Sequence, residues 1–421
     1  MASDIHRVID AVWRIESGRL IAGVARIVHD VGVAEELAQD ALVAALERWP
    51  ASGIPDNPAA WLMGTAKHRA IDHLRRRVTL ARKQEQLGHE LEIQAEIGVP
   101  DLDAAADQDV GDDLLRMVFI ACHPVLSSDA RVALTLRTLG GLSTEAIARA
   151  FLVPEATVAQ RIVRAKRTLS EAHVPFELPC ADALAERLAS VLEVIYLIFN
   201  EGYSATAGDD WMRPTLCEEA LRLGRILAGL APTEPEVHGL VALMEIQASR
   251  SRARVGQSGG PVLLFDQNRA LWDQLLIRRG LSALARAEQL GGATGQYALQ
   301  AAIAACHARA RTAADTDWEC IAALYAALAE LTRSPVVELN RAVALGMAFG
   351  PQAGLELVET LTSEPSLKAY HLLPSVRGDL LVKLRRFEEA RSEFERAASL
   401  TQNARERDLL LERARACARN H

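Results

Sequence analysis

The stretch GLSTEAIARAFLVPEATVAQRIVRAKRTL, residues Gly141–Leu169, decides the fold of the middle of the chain. After Pro154, apolar residues recur at steps of four, three and four, the spacing of one helix face. These apolar residues are Val158, Ile162, Ala165 and Leu169. Ahead of Pro154, Ser143 stands where a helix N-cap belongs, before a second apolar run. The pattern predicts two helices joined by a tight corner, a helix-turn-helix.

The opposite face of the second helix is polar and basic, and it is free to meet a partner. Threonine, glutamine and arginine side chains reach phosphates and base edges in a major groove. The candidates for duplex contact are Thr157, Gln160, Arg161, Arg164 and Arg167. An ordinary helical hairpin with a solvated basic face is the alternative for the pattern taken alone.

Two amphipathic helices are predicted upstream, in VAEELAQDALVAALERW and NPAAWLMGTAKHRAIDHLRRR. The outward face of the first is acidic, with Glu36, Gln39 and Asp40 among its residues. The second buries Leu62, Ala66, Ala70 and Leu74, and its far side carries His68, Arg69, Asp72, Arg75 and Arg76. An acidic face cannot dock on DNA, so it requires a basic protein partner, while the basic face can take phosphates. A small solvated bundle is the alternative.

The formal net charge of -8 hides an uneven distribution of charge. Residues 66–83 carry seven Lys or Arg against one acid, and residues 131–169 carry seven against two. Between them, residues 84–113 hold ten acids and no Lys or Arg, which predicts an acidic linker. Two basic helical units separated by an acidic tether point to a polyanionic partner.

Composition sets the remaining bounds. The 421 residues exceed one ordinary core, and the dominance of helix formers predicts an all-α chain of several domains. No apolar run is long enough for a membrane span and no signal peptide is evident, so we expect a cytoplasmic protein. The six cysteines are scattered, which predicts no metal site, and no nucleophile, metalloprotease or phosphate-loop motif is present. We therefore expect no cofactor and no enzymatic activity.

In chain order, the acidic helix, the basic helix and the helix-turn-helix resemble regions two and four of an extracytoplasmic-function sigma factor of bacterial RNA polymerase, from about Val12 to Leu169. The resemblance implies core RNA polymerase and promoter DNA as partners, with contacts to the clamp coiled coil and the flap. It implies that Glu36, Gln39 and Asp40 bind the clamp. For the minus-ten element it implies Lys67, His68, Arg69, Asp72, Arg75 and Arg76, with Asp56, Asn57 and Trp61 of the loop Pro50–Trp61 receiving an unstacked base. The helix-turn-helix would read the minus-thirty-five element.

The resemblance also implies that the linker threads the polymerase channel that RNA later occupies, while its composition alone fits a plain solvated tether equally well. Where the family often has a basic residue and a histidine, this chain has Ala159 and Val163. Those departures leave open which bases the second helix reads.

Beyond Leu178 the chain continues well past a minimal member of that family. GDLLVKLRRFEEARSEFERAASL places Gly378, Ala390, Phe394 and Ala397 at the offsets of a tetratricopeptide unit, and about three degenerate repeats are expected from Gln296 onward. ARVGQSGGPVLLF predicts a small hairpin. The segments YLIFNEGYSAT and DQNRALWD resemble the sigma-factor group with a tetratricopeptide-type extension, which implies regulation by that extension.

Polar residues of these two segments form a candidate site, although helix caps and a domain interface explain them equally well. They are Glu201, Tyr203, Asp209, Asp210, Asp266, Gln267, Arg269, Trp272 and Asp273. The predicted domains are 1–83 (region two), 84–113 (linker), 114–178 (region four), 179–295 (helical extension) and 296–421 (repeats). A tetratricopeptide scaffold, or a regulator that binds DNA without being a sigma factor, is the rival class.

Overall fold

The computed structural model describes residues 2–87, 110–151, 153–204, 212–256 and 261–419. Within these ranges the chain forms eighteen α-helices and no strand, which confirms the predicted all-α class. The chain divides into two compact units, Met1–Val194 and Ile195–His421, and α8 contributes residues to both.

The first unit contains two small bundles. The N-terminal bundle comprises α1 (Ala2–Val28), α2 (Val31–Ser52) and α3 (Pro58–Leu87), and the alanine-rich stripe of α2 lies in its core. The helix-turn-helix bundle comprises α4 (Val110–Ala121), α5 (Ser128–Thr138), α6 (Thr144–Phe151) and α7 (Glu155–Glu171). Helix α1 packs against both α3 and α4, so the two bundles share one unit. The first part of α8 (Ala181–Tyr203) completes it.

The loop predicted at Pro50–Trp61 is shorter in the structure. Helix α2 continues through Pro50 to Ser52, and Gly53, at a φ of 85°, ends it by donating its N–H to the Trp49 carbonyl. Pro50 has no N–H to donate to the Leu46 carbonyl, and the helix ends two residues later. Asn57 then caps α3, its Oδ1 accepting from the N–H of Ala60 at 3.1 Å. The loop proper is therefore residues 53–57.

The acidic linker also loses residues to helices at both ends. Helix α3 reaches Leu87 and α4 begins at Val110, while residues 88–109 lie outside the described residues. Asp113, counted among the linker acids, is instead buried in α4. Its carboxylate accepts an ion pair from Arg26 at 3.0 Å and one from Arg116 at 2.8 Å. These two cations offset the free-energy cost of burying the Asp113 charge. A count of charges along the sequence does not show these contacts.

The second unit is a succession of helices that pack mainly on their neighbours in sequence. After α8 come α9 (Pro214–Leu230), α10 (Pro235–Ala248), α11 (Gln274–Gln289) and α12 (Gln296–Arg309). They are followed by α13 (Trp318–Thr332), α14 (Pro335–Ala348), α15 (Pro351–Leu361), α16 (Leu372–Lys383), α17 (Phe387–Leu400) and α18 (Ala404–Arg419). A chain of neighbouring contacts of this kind is typical of a helical solenoid.

The close helix approach predicted around Gly378 is present. Phe394 of α17 is almost fully buried, and a Cβ built on Gly378 would lie 2.8 Å from its Cε1 atom. The predicted hairpin is reduced to one isolated antiparallel bridge between Val255 and Pro261, flanked by short 3-10 turns. Gly259 and Gly260, which separate its two predicted strands, lie outside the described residues.

Candidate nucleic-acid interface

Helix α7 has the two faces that its spacing predicts. Val158, Ile162, Ala165 and Leu169 are all buried. Gln160, Arg164 and Arg167 are exposed, while Thr157 and Arg161 are half-buried. The preceding helix α6 starts where Ser143 accepts the N–H of Ala146 at 3.0 Å, as expected of an N-cap. The helix-turn-helix thus presents a polar face to solvent while its apolar face is fixed in the bundle.

The arginines of α7 differ in whether an acidic side chain pairs with them. Arg161 donates to Asp129 of α5 at 2.7 Å, and Arg167 donates to Glu171 of the same helix at 2.6 Å. Arg164 is exposed between them. Val163 adds an apolar surface, 64% exposed, to the same region of the helix. An exposed methyl-bearing side chain beside cations can contact the methyl group of thymine in a major groove.

In the N-terminal bundle, the acidic face of α2 and the basic face of α3 line one groove. The groove has a volume of about 680 Å³. Its lining residues include Glu36, Gln39, Asp40, Arg69, Asp72 and Arg76. Asp40 and Arg69 are joined across it by an ion pair of 3.0 Å. Two faces that the sequence predicts separately therefore meet at a single groove and interact electrostatically.

The remaining basic candidates of α3 lie along its exposed side. His68 and Arg75 are exposed, and Lys67 is half-buried. The His68 ring Nδ1 lies 2.7 Å from the Gly64 carbonyl oxygen. Arg75 lies 3.8 Å from Asp72 one turn earlier. A cationic side of this kind can hold a nucleic-acid backbone.

The loop candidates have structural partners as well as exposure. Asp56 is exposed in the loop, and Asn57 caps α3. Trp61 lies in the first turn of α3, where its ring meets the buried Trp49 ring edge-on at a centroid distance of 5.4 Å. One aromatic half-buried beside an exposed loop can stack on a base that leaves its duplex.

The buried acid Glu35 links the two bundles, although the sequence did not mark it out from its exposed neighbour Glu36. Glu35 is only 3% exposed, because it lies on the buried, alanine-rich stripe of α2. It accepts from Arg137 of α5 at 2.7 Å and forms an ion pair of 2.6 Å with Lys166 of α7. A carboxylate inside an alanine stripe was the available signal, since such a charge requires a partner.

The first part of α8 docks on the helix-turn-helix bundle. Ser190 donates to the Cys122 carbonyl at 2.6 Å and accepts from Arg131 of α5. Arg131 also pairs with Glu193 at 3.1 Å, and Arg187 donates to the Phe119 carbonyl. Burial and the nearby Arg187 lower the pKa of His123 to about 4. Polar contacts of this density bind α8 to α4 and α5.

The polar candidate residues of the second unit fall into two groups. Glu201 pairs with Arg213, and Asp273 caps α11 by accepting the N–H groups of Leu275 and Leu276. Asp266 is exposed, Gln267 donates to the Val262 carbonyl, and Asp209 and Asp210 lie outside the described residues. Glu201 and Asp273 thus act as an ion-pair partner and a helix cap.

The other candidates, Tyr203, Arg269 and Trp272, belong to a cluster of arginines and aromatic rings that also includes Arg250. Arg250 donates to the Tyr203 hydroxyl at 2.8 Å and lies 5.8 Å from the Trp272 ring. Arg269 lies 4.7 Å from the same ring and donates to the Ala310 carbonyl at 2.8 Å, near the end of α12. Cation–π contacts and a helix C-terminus both favour arginine there. Arg250 contacts both Tyr203 and Trp272, so the cluster connects the segments YLIFNEGYSAT and DQNRALWD.

The described ranges contain neither a membrane-spanning helix nor a cluster of metal-ligating side chains. No helix there is both long and apolar enough to cross a membrane. In the same part of the chain, no group of three or more His, Cys, Asp or Glu side chains is arranged to hold a metal ion.

Three family descriptions match consecutive parts of the chain. Residues 15–79 match sigma-70 region 2, and residues 116–169 match sigma-70, region 4. Residues 187–288 match a family of unknown function, DUF6596. The first match covers most of the N-terminal bundle, the second most of the helix-turn-helix bundle, and the third runs from α8 into α11.

Several proteins are similar to this chain. An uncharacterized protein of Rhizobium meliloti is 45% identical over 90% of this chain and 89% of its own length. A probable ECF RNA polymerase sigma factor, SigI, of Mycobacterium tuberculosis is 27% identical over 40% of this chain and 57% of its own. The RNA polymerase sigma-H factor of Pseudomonas aeruginosa is 29% identical over 37% of this chain and 81% of its own. No solved structure matches.

Proposed function

Because the chain belongs to the extracytoplasmic-function family of RNA polymerase sigma factors, we propose that it guides core polymerase to promoters by binding their minus-ten and minus-thirty-five elements. The observation that carries the proposal is the two-faced helix α7, whose apolar side is buried while Gln160 and Arg164 are exposed. A helix held in this way can enter a major groove without reorganising its own core. Since its partners are core polymerase and promoter DNA, its place of action is the cytoplasm.

In this proposal the N-terminal bundle has two tasks. Glu36, Gln39 and Asp40 bind the clamp of the core enzyme, and the cations of α3 hold the minus-ten strand. Trp61, with Asp56 and Asn57, receives the unstacked base. The ion pair between Asp40 and Arg69 supports a link between these tasks, because polymerase that engages Asp40 releases Arg69 for a phosphate.

The extension, in this proposal, regulates the sigma domains through α8. Its helical repeats are tetratricopeptide-like, as the buried Ala390 and Phe394 opposite Gly378 suggest. The supporting contacts are the hydrogen bonds of Ser190 and Arg187 with the helix-turn-helix bundle. Since α8 belongs to both units, a change in the extension can alter the bundle that reads DNA.

Promoter-specific transcription with purified core polymerase tests the main proposal. Arg164→Ala should weaken binding to a minus-thirty-five duplex by about 1–3 kcal/mol. Asp40→Ala should reduce core binding and leave base preference unchanged. A scaffold that does not act as a sigma factor gives no promoter-specific transcript with any variant, and that result would overturn the proposal.

The regulatory role calls for full-length variants, because truncation after Leu178 would remove Arg187 and Ser190 from the first unit. Ser190→Ala breaks the bridge between Arg131 and the Cys122 carbonyl. We expect the transcript yield to change in the same direction for Ser190→Ala and Arg131→Ala. Glu186→Ala, an exposed change on the same helix, is the control. Unchanged yields in both test variants would contradict regulation through α8.

A further inference from the structure

Two thiols meet between α12 and α13 in the second unit. The Sγ atoms of Cys306 and Cys320 lie 3.8 Å apart, and both cysteines are free. A disulfide requires an S–S distance of about 2.05 Å, so the sulfur atoms need to approach by roughly 1.8 Å. Rotation of the two side chains can supply a movement of that size without unwinding either helix.

The backbone around this pair is well held. Cys306 lies one turn before the end of α12, and Cys320 lies in the first turn of α13. Asp317 caps α13 by accepting the N–H of Cys320 at 2.9 Å. Ile303 and Ile321, each three or fewer residues from one of the cysteines, belong to the same buried core cluster. The helices therefore keep the two thiols beside each other.

The two thiols differ in exposure and in reactivity. Cys320 is exposed in the first turn of α13, so a dissolved oxidant can reach its sulfur. Cys306 is half-buried, and burial together with the neighbouring Cys320 raises its pKa to about 12. An oxidant in solution therefore meets Cys320 first, and Cys306 is the thiol that follows.

From this arrangement we propose that Cys306 and Cys320 form a peroxide-sensitive modification site that closes a disulfide between α12 and α13. The Cys320 sulfur attacks one oxygen of a hydroperoxide, whose O–O bond breaks, and Cys320 becomes a sulfenic acid. The Cys306 sulfur then attacks the Cys320 sulfur, the S–O bond breaks and water leaves. In sum, two thiols lose two electrons and two protons, and hydrogen peroxide is reduced to two waters.

The site goes beyond promoter recognition, and its test is independent of transcription. The reduced full-length chain is treated with hydrogen peroxide, alkylated and digested with trypsin, which cleaves at Arg309 and Arg311 between the two cysteines. We expect the peptides that carry Cys306 and Cys320 to be recovered joined and two hydrogens lighter than their sum. Dithiothreitol should separate them.

Cys180, the other exposed cysteine, is the internal control for unspecific oxidation. We expect half-oxidation of the pair at a peroxide concentration at least tenfold lower than that for Cys180. In Cys306→Ser, dimedone should trap Cys320 as a sulfenic acid. Recovery of Cys320 as a dimedone adduct or sulfinic acid in the wild-type chain, with Cys306 still alkylated, would overturn the proposal.

A second readout reports the bridge itself. A disulfide that closes a loop of this length restricts the unfolded chain, so the oxidised protein should unfold about 5 °C higher than the reduced protein. The difference should vanish in Cys306→Ser and in Cys320→Ser, which both lack the bridge. A shift of the same size in either variant would show that the disulfide is not its cause and would count against the site.

Discussion

The carboxylate of Glu35 in α2 and the ammonium of Lys166 in α7 lie 2.6 Å apart, and this ion pair joins sigma region two to region four. Arg137 of α5 donates to the other oxygen of the same carboxylate at 2.7 Å. Because Glu35 is almost fully buried, its charge is tolerated only while these cations stay in place. One side chain of α2 thus holds two helices of the helix-turn-helix bundle, α5 and α7.

Replacing Glu35 with glutamine should loosen that junction. The variant keeps the shape of the side chain but leaves Arg137 and Lys166 without their counter-charge, at a cost of about 3 kcal/mol. We expect faster hydrogen exchange in α2 and α7, measured on the full chain by mass spectrometry. Exchange in the second unit should not change.

The neighbouring carboxylate provides the control for this change. Glu36→Gln removes the same charge from an exposed position of the same helix. Its effect on stability should lie within about 0.5 kcal/mol, as for most surface changes. Equal exchange rates in the Glu35 and Glu36 variants would mean that the buried ion pair does not hold the two regions together.

A second prediction concerns Asp129, which pairs with Arg161 of α7 at 2.7 Å. Asp129→Asn removes a negative charge beside the proposed DNA face and releases the Arg161 guanidinium for a phosphate. We expect binding to any duplex to tighten, and the salt dependence to steepen by about one phosphate contact. Fluorescence anisotropy at several salt concentrations measures both quantities.

The comparison for Asp129 is Glu177→Gln. It changes the net charge equally at an exposed position beyond the end of α7. The loss of one negative charge should raise the affinity for DNA slightly in both variants. Only Asp129→Asn should add a phosphate contact and so steepen the salt dependence. Salt slopes that are identical in the two variants would argue against a role for Arg161 at the phosphate backbone.

The apolar stripe of α7 was predictable because a helix periodicity of 3.6 leaves one arrangement that buries Val158, Ile162 and Leu169 together. The family, the helical class and the cap at Ser143 followed from equally local patterns. The burial of Glu35 and Asp113 was not predictable from charge counts, since Arg137 and Lys166, and for Asp113 Arg26, lie on other helices. Local patterns decide which residues face inward, whereas tertiary contacts decide which charges are buried.

The same limit explains the groove between α2 and α3. The sequence separated an acidic from a basic face, and each helix does carry its face. Only the packing of the two helices brings Asp40 within 3.0 Å of Arg69. The thiol pair of Cys306 and Cys320 was likewise hidden among scattered cysteines, because their proximity depends on how α13 returns along α12.

A third prediction concerns pH and His307 at the end of α12. Burial, followed by Arg250 and Arg269, lowers the pKa of His307 to about 4. In the unfolded chain the imidazole takes up its proton near pH 6.5, so below that pH the unfolded state binds more protons. The stability of the second unit should therefore fall as the pH drops from 6.5 toward 4, by about 3 kcal/mol in all.

His307→Gln should flatten this pH dependence, because the amide does not titrate. The ring of Trp318 meets the His307 ring at a centroid distance of 5.1 Å, so tryptophan fluorescence during denaturant unfolding reports the change. His123→Gln, at a histidine of the first unit, is the control and should leave the dependence of the second unit intact. A curve that stays as steep in His307→Gln would exclude this histidine as its cause.

The last prediction tests the close helix approach in the extension. A Cβ on Gly378 would lie 2.8 Å from Cε1 of Phe394, a buried ring that cannot retreat within a packed core. Gly378→Ala should therefore destabilise the second unit by about 1–3 kcal/mol, although alanine is the better helix former. Gly229→Ala, in α9 with open space around its Cβ, should be neutral or stabilise by up to about 1 kcal/mol. Thermal unfolding of both variants measures the contrast, and a Gly378→Ala protein as stable as Gly229→Ala would show that α16 and α17 do not depend on this contact.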